Sequence, residues 1–558
     1  MPLAYEPAAR LADRLLADHV VSRIWARDLA VWQADPGSAD ARSIASRLGW
    51  LDVAATMPPQ LDRVTGIGQA VRADGVESVY LLGMGGSSLC AEVIATVVGP
   101  DRTAVRLHVL DTTDEQTITA AAGRLDPARS LFLVASKSGG TVEVASLEKF
   151  FWSLSVAALG PRAAGRQFIA ITDPGTALQK LGESRGYRHV FLNPPDIGGR
   201  FSALSLFGLV PASLLDAMPG ELLEGGSAMA EGCRQENHTN AGLELGAFIG
   251  AATLEGRNKL TVVLPPSLAS LGLWIEQLVA ESTGKHGKGA LPVVDEPLGR
   301  PDEYGQDRAF VAMATEDDGP DARGLEALED AGHPVLRLST RRSGLGAEFF
   351  RWEFATAVAG AVLGINPFDE PNVAEAKENT KALLAAFGSE GRLPDQEPTA
   401  SGARAFVQAP TFAGTSPEGV VAAAVQSIAP GDYAAFLSYL PPTSGLESAI
   451  AAIRHALRSK THAATTYGVG PRYLHSTGQY HKGGPDNVVA FVITGDDATE
   501  TPIPDAGYSF GVLKRSQALA DAGTLAAHGR RVVRIHIRGD QGDAGEVLTR
   551  LFADALGG

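Results

Sequence analysis

The chain has 558 residues, with 48 basic and 64 acidic side chains and a formal net charge of −16. That length exceeds what one hydrophobic core supports, so several domains are expected. The acidic balance argues against nucleic acid or an anionic membrane as the main partner, while leaving room for a local basic pocket.

The opening segment, residues 1–60, is helical in pattern. Leu11, Leu15, Val20, Ile24 and Leu29 recur at roughly helical spacing, and Trp25, Trp32 and Trp50 are expected to dock it onto a larger body. From Val76 strand and helix alternate. VESVYLLGMGG reads as a buried strand entering a glycine turn, and SSLCAEVIATVV as the helix that the turn opens. RLHVLD, SLFLVASKS and QFIAITD are further apolar runs of strand length, each ending in small polar residues. A second series starts at LTVVLPP and continues through AFVAMAT, HPVLRLST and the helical EFFRWEFATAVAGAVLG. Residues 393–442 are richer in Pro, Ser and Gly. The tail then resumes with a helix near Ser444, the loop GPRYLHSTGQYHKGGP, the strand NVVAFVITGDD, a helix near Val512 and the strand RRVVRIHI. AFVAMATEDD and AFVITGDD look weakly alike, which duplication or composition alone could produce. The pattern predicts an α/β protein of doubly wound parallel sheets, with ligands beyond the carboxyl ends of the strands. Its expected divisions are 1–60, 61–225, 226–392 and an additional α/β region at 393–558.

Cys90 and Cys233 are far apart, show no metal-ligand spacing and suit a reducing compartment. No apolar run reaches membrane-spanning length, and the first residues lack a basic-then-apolar leader. A cytoplasmic enzyme or metabolite-binding protein is expected.

Two loops read as an anion site. GMGGSS, with Gly86 and Ser87, ends a strand and opens a helix, where free N–H groups and the helix dipole favour an anion. SKSGGT follows another strand and offers the hydroxyls of Ser136, Ser138 and Thr141. Such turns also serve packing alone, and the Walker spacing is absent. In QLVAESTGK, Leu271, Trp274, Leu278 and Glu281 fall at steps of three, four and three, so a carboxylate shares an apolar stripe. It reads either as a base whose pKa burial raises or as the partner of a nearby Lys or Arg, with Lys285 beside it. Arg200 in DIGGRFSALS could reach a ligand oxygen. His475, flanked by Ser476, Gln479 and Lys482, could be an acid/base group. His286–Lys288 reads as a solvated turn.

Together these segments resemble the phosphoglucose isomerase family, built from two sugar-isomerase (SIS) domains. GMGGSSL and SKSGGTVE are similar to its phosphate loops, and GGRFSALS and QLVAESTGK to its arginine and glutamate signatures. GINPFDEPNVAEAKENTKALL is similar to the stretch carrying its catalytic lysine, which maps to Lys377, and LHSTGQ to its histidine loop, which maps to His475. The pattern is most similar to the isomerase portion of transaldolase–phosphoglucose isomerase fusions, although no transaldolase barrel fits this length.

The resemblance implies two SIS-type domains and interconversion of glucose 6-phosphate and fructose 6-phosphate through ring opening and a cis-enediolate. Ser87, Ser136, Lys137, Ser138 and Thr141 would hold the phosphate. His475 or Lys377 would open the ring. Glu281 would move the proton between C2 and C1 with Gln277 beside it, and Arg200 would stabilise the oxyanion. It implies no metal, no organic cofactor and a homodimer. Mannose 6-phosphate as an additional substrate, or a non-catalytic sugar-phosphate sensor, are the competing readings. In ordinary members the lysine segment comes last, whereas here Lys377 precedes His475.

Overall fold

A computed structural model describes residues 3–35, 37–98, 105–394 and 397–557. Three parallel sheets follow one another along the chain. The first contains β1 (Ser78–Gly83), β2 (Arg106–Leu110), β3 (Ser130–Ala135), β4 (Phe168–Thr172) and β5 (His189–Leu192), in the order β2-β1-β3-β4-β5. The second contains β6 (Lys259–Val263), β7 (Leu291–Val293), β8 (Arg308–Ala314) and β9 (Val335–Ser339), in the order β7-β6-β8-β9. Strands β1 and β3 are buried nearly throughout, as continuous apolar runs covered by helices on both faces should be.

The third sheet contains β10 (Ala400–Ser401), β11 (Ala405–Gln408), β12 (Tyr433–Ser438), β13 (Ala464–Val469), β14 (Val488–Gly495) and β15 (Arg531–Ile537). Its order is β10-β11-β15-β14-β12-β13, with only the β10–β11 and β11–β15 pairs antiparallel. Strands β12 to β15 therefore repeat the arrangement of β6 to β9. In each sheet the second strand lies outside the first, and the third and fourth lie on its other side. The same order heads the first sheet. The sheets reverse winding beside β1, β6 and β12, the place where doubly wound sheets carry a crevice at their strand ends. The similar runs AFVAMAT and AFVITGDD correspond to β8 and β14, which occupy equivalent places.

The Pro/Ser/Gly-rich stretch contains more order than its composition suggested: the edge pair β10–β11 and a helix, Pro417–Gln426. The opening helices pack onto the helix Leu345–Leu363 through their tryptophans. The Trp25 ring lies 6.0 Å from both Phe350 and Phe354, and Trp50 lies 5.5 Å from Phe350. Trp32 Nε1 donates to the Ala357 carbonyl at 2.9 Å, so the one polar atom of that buried ring is satisfied. Both cysteines are buried free thiols, pushed up to about 12 by burial. Among the described residues no helix is long and apolar enough to cross a membrane.

Candidate active site

The loop at the end of β1 meets the Glu281 helix (Leu271–Thr283) and the loop after β13, and the loop at the end of β3 shares a pocket with His475 of that last loop. The chain leaves β1 through a single 3-10 turn, Gly85–Ser87. Gly85 has φ 53°, and a Cβ there would lie 2.8 Å from Gln277 Nε2 and 2.8 Å from the His475 carbonyl. A Cβ on Gly86 would overlap the Gly199 carbonyl. These glycines let four segments of backbone converge, so any other residue would force them apart.

Glu281 is buried, as its place on the apolar stripe predicts. Its Oε1 lies 3.1 Å from Arg200 Nη1, and its Oε2 accepts from Gln277 Nε2 at 3.1 Å. The same Gln277 nitrogen donates to the His475 carbonyl at 2.8 Å, linking the glutamate to the histidine loop. The cation beside Glu281 is thus Arg200 and not Lys285. The Lys285 ammonium instead donates to the Asn366 and Asp369 carbonyls, both at 2.6 Å, and to Asp369 Oδ1 at 2.7 Å. Burial, with Arg200 nearby, pushes Lys285 down to about 8.

Arg200 sits on a 3-10 turn, Gly199–Phe201, and is itself buried. Its Nη1 also reaches Glu370 Oε2 at 3.2 Å, its Nε donates to Ser282 Oγ at 2.8 Å, and its Nη2 donates to the Pro367 and Asp369 carbonyls at 2.8 Å each. One guanidinium therefore lies between two carboxylates whose proton affinities part. Burial raises Glu281 above the ordinary glutamate value against the pull of Arg200. Burial would raise Glu370 too, but Arg200 and Arg47 outweigh it and hold Glu370 below that value. Two carboxyls driven apart in this way divide into a basic and a spectator member.

His475 ends a 3-10 turn, Arg472–His475, after β13. Its Nε2 pairs with Glu143 Oε1 at 3.0 Å, and Gln517 Nε2 donates to the same oxygen at 2.7 Å. Glu143 is buried, yet the His475 ring, its own backbone N–H and Lys377 hold it below the ordinary value against that burial. Glu143, His475, Gln517, Thr141 and Lys377 line a pocket of about 70 Å³. Lys377 is exposed there, on the helix Pro371–Glu390, and among the described residues no carboxylate lies within ion-pair distance of it.

In the second loop Ser136 Oγ and Thr141 Oγ1 are 3.1 Å apart, and Gly140 N donates to Ser138 Oγ at 3.3 Å. Thr141 immediately precedes the helix Val142–Leu159. The Lys137 ammonium turns aside to Asp173 and to the Pro195 carbonyl at 2.8 Å. Ser87 is buried under the first loop. His286 to Lys288 form an exposed turn, as read from the sequence.

Sequence reasoning thus named Glu281, Gln277, Arg200 and His475, which the fold gathers around one helix, and Thr141, Lys377 and His475, which share one pocket. It assigned no role to Glu143, Gln517 or Glu370. Glu143 stood inside the quoted SKSGGTVE motif and Glu370 inside the lysine segment, but a carboxylate's partner is set by tertiary contact. Comparison with known proteins bears on the family. A family model described as phosphoglucose isomerase matches residues 52–297, a span that holds both loops, Arg200, Gln277 and Glu281. A glucose-6-phosphate isomerase of Rubrobacter xylanophilus is 29% identical over 383 residues, covering 58% of this chain and 86% of that protein. One from Heliobacterium modesticaldum is 32% identical over 299 residues, covering 46% of this chain and 67% of the relative. Among solved structures, a hypothetical protein from Thermus thermophilus aligns with TM-score 0.57 at 26% identity, over 68% of this chain and 97% of that one. A glucose-6-phosphate isomerase from Chlamydia trachomatis aligns with TM-score 0.51 at 20% identity, over 67% of this chain and 78% of that one, a likeness of fold.

Proposed function

The chain belongs to the phosphoglucose isomerase family, and from that premise we propose that it interconverts D-glucose 6-phosphate and D-fructose 6-phosphate. The observation that carries the mechanism is a buried carboxylate, Glu281, with raised proton affinity and one oxygen against a buried arginine. A hydrogen on carbon beside a carbonyl is a weak acid. Its removal needs a base poised near neutral pH and a fixed positive group for the oxyanion that forms. Glu281 and Arg200 are such a pair.

In this reading the phosphate sits at the Ser136–Thr141 turn, held by hydroxyls and by the N–H groups of the following helix, with Ser87 on its other side. Lys137 contributes positive field from within its pair with Asp173. Anchoring there holds C1 and C2 against Glu281 at a distance from the chemistry. His475, oriented by Glu143, passes a proton to the ring oxygen as the C1–O5 bond breaks and the O1 hydroxyl releases its own proton, so the aldehyde forms with no net change in protons; Lys377 lines the same pocket. Glu281 then takes the C2 proton of the open chain while negative charge gathers on O1 beside Arg200. The O2 hydroxyl gives up its proton, O1 gains one, and Glu281 returns its proton to C1, leaving the ketose. Binding must loosen the Glu281–Arg200 contact, and Glu370, Ser282 and two carbonyls keep the guanidinium in place when it does.

The test is solvent deuterium exchange at C2 of glucose 6-phosphate, followed by NMR alongside isomerisation. Wild type should do both. Glu281→Gln should lose both by at least about a hundredfold, the lower range for removing an acid/base group. Undiminished exchange in that variant would remove Glu281 as the base. For His475→Ala, supplying ring-opened sugar should restore part of the lost rate, and no restoration would count against a ring-opening role.

A further inference from the structure

The helix Phe510–Ala527 carries a polar stripe that faces no solvent. Lys514, Gln517, Asp521 and Thr524 follow one another at steps of three, four and three, and all four are buried. Burying such groups is costly unless every one is paired. Here each has a partner, and each partner belongs to the candidate site or its supports. The Lys514 ammonium pairs with Asp114 at 2.8 Å and with Asp497. Asp521 accepts from the Tyr473 hydroxyl at 2.6 Å and pairs with Lys482, so it grips the chain on both sides of His475. Thr524 Oγ1 accepts from Asn379 Nδ2 at 2.8 Å, on the helix that bears Lys377.

Gln517 lies at the centre. A carboxylate only accepts, so the amide nitrogen must face Glu143, which leaves the amide oxygen for the Thr113 hydroxyl at 2.9 Å. Glu143 Oε1 thereby receives two contacts, from His475 and from Gln517, fixing the rotation of its carboxylate. Thr113 belongs to the segment Asp111–Glu115 after β2. There Asp111 holds Arg472 at 2.6 Å, and Glu115 accepts from the Thr501 and Gly511 N–H groups at 2.8 Å each. The first sheet thus grips the histidine-bearing unit through one short run of residues.

We propose that Gln517 is a positioning residue, which acts through Glu143 to hold the His475 imidazole in its working orientation, with Thr113 orienting the amide. This inference rests on the isomerase reading. Gln517→Met keeps the side chain's length while removing both hydrogen bonds. It should lower kcat by about tenfold to a hundredfold, the range for losing one hydrogen bond to a charged group, with KM little changed. Losing a donor also favours the protonated form of Glu143, so the pH at which the His475 ring signal responds to Glu143 protonation should rise. Thr113→Val should change both quantities in the same direction by less, and it serves as the test if Gln517→Met fails to fold. Histidine-selective ¹⁵N labelling of the full chain reads the imidazole directly. The His475 ring signal should lose its hydrogen-bonded shift in Gln517→Met, whether or not the wild type turns over glucose 6-phosphate. A wild type without isomerase activity would refute the activity, while this signal would still decide the positioning role. An unchanged ring signal, or a kcat equal to wild type, would overturn it.

Discussion

Arg200 shows how one cation can divide two acids. It touches Glu281 and Glu370 at 3.1 and 3.2 Å, yet only Glu281 is lifted above the ordinary value, because Glu281 is the more deeply buried and Arg47 adds its charge on the Glu370 side. A base works only when ionised, so kcat/KM should fall as pH drops through the raised value of Glu281. Arg200→Gln removes the attraction that opposes burial. The Glu281 carboxyl then climbs further, and the acid limb should move to higher pH, together with a loss in kcat of about a hundredfold or more for the missing oxyanion partner. The substrate phosphate has its own titration, at about pH 6, but it is equal for both proteins, so the difference between the two profiles isolates the enzyme's group. An acid limb that stays in place would mean that another residue governs it.

Two helices of similar design differed in how legible they were. The Glu281 helix could be read because a lone acid interrupted an apolar stripe, and an acid in that place is costly unless it has work or a partner. In the Phe510–Ala527 helix, Lys514, Gln517, Asp521 and Thr524 have the same spacing, but polar residues so spaced ordinarily mark a solvated face. Groups remote in sequence turn that face inward, Asp114 and Thr113 for Lys514 and Gln517, Tyr473 and Lys482 for Asp521 and Asn379 for Thr524, and no local pattern connects residues 400 positions apart. Likewise the strand ends and glycine turns of the first two sheets were plain from composition, whereas the short edge pair β10–β11 was hidden by Pro, Ser and Gly. Lys514→Ala should leave Asp114 buried without its cation, while Asp497 keeps Arg515 at 3.3 Å, and cost about 3 kcal/mol, read as a lowered thermal midpoint. The two aspartates outweigh burial and raise Lys514, so its contribution is full below the unfolded value of about 10.4 and is lost only as pH climbs past the folded one. Replacing all three residues by apolar ones of similar size should recover part of the loss. A single substitution without effect on the midpoint would show that this contact does not hold the two units together.

At the scale of the molecule, three sheets of like strand order divide the labour. The first gives the two anion-facing loops, Arg200 and Glu143, the second gives Glu281, and the third gives His475 and Gln517. A sequence order with Lys377 before His475 looked like a displacement of the histidine, but in space the third sheet's loop returns to the first sheet's strand ends. The reason is physical: Gln277 holds the His475 carbonyl, Glu143 holds its ring, and Asp111 holds Arg472 three residues earlier, all within one chain. In this arrangement Glu281, Arg200 and His475 all come from one chain. Two inactive forms, Glu281→Gln and His475→Ala, therefore offer a decisive mixture. When they are co-produced in one cell and purified together, their activity should equal the sum of the two measured separately, because each chain carries its own defect. Specific activity of the wild type should likewise stay constant on dilution through any self-association. If histidine and glutamate were instead exchanged between subunits, mixed assemblies would contain one intact site, and activity well above that sum would appear.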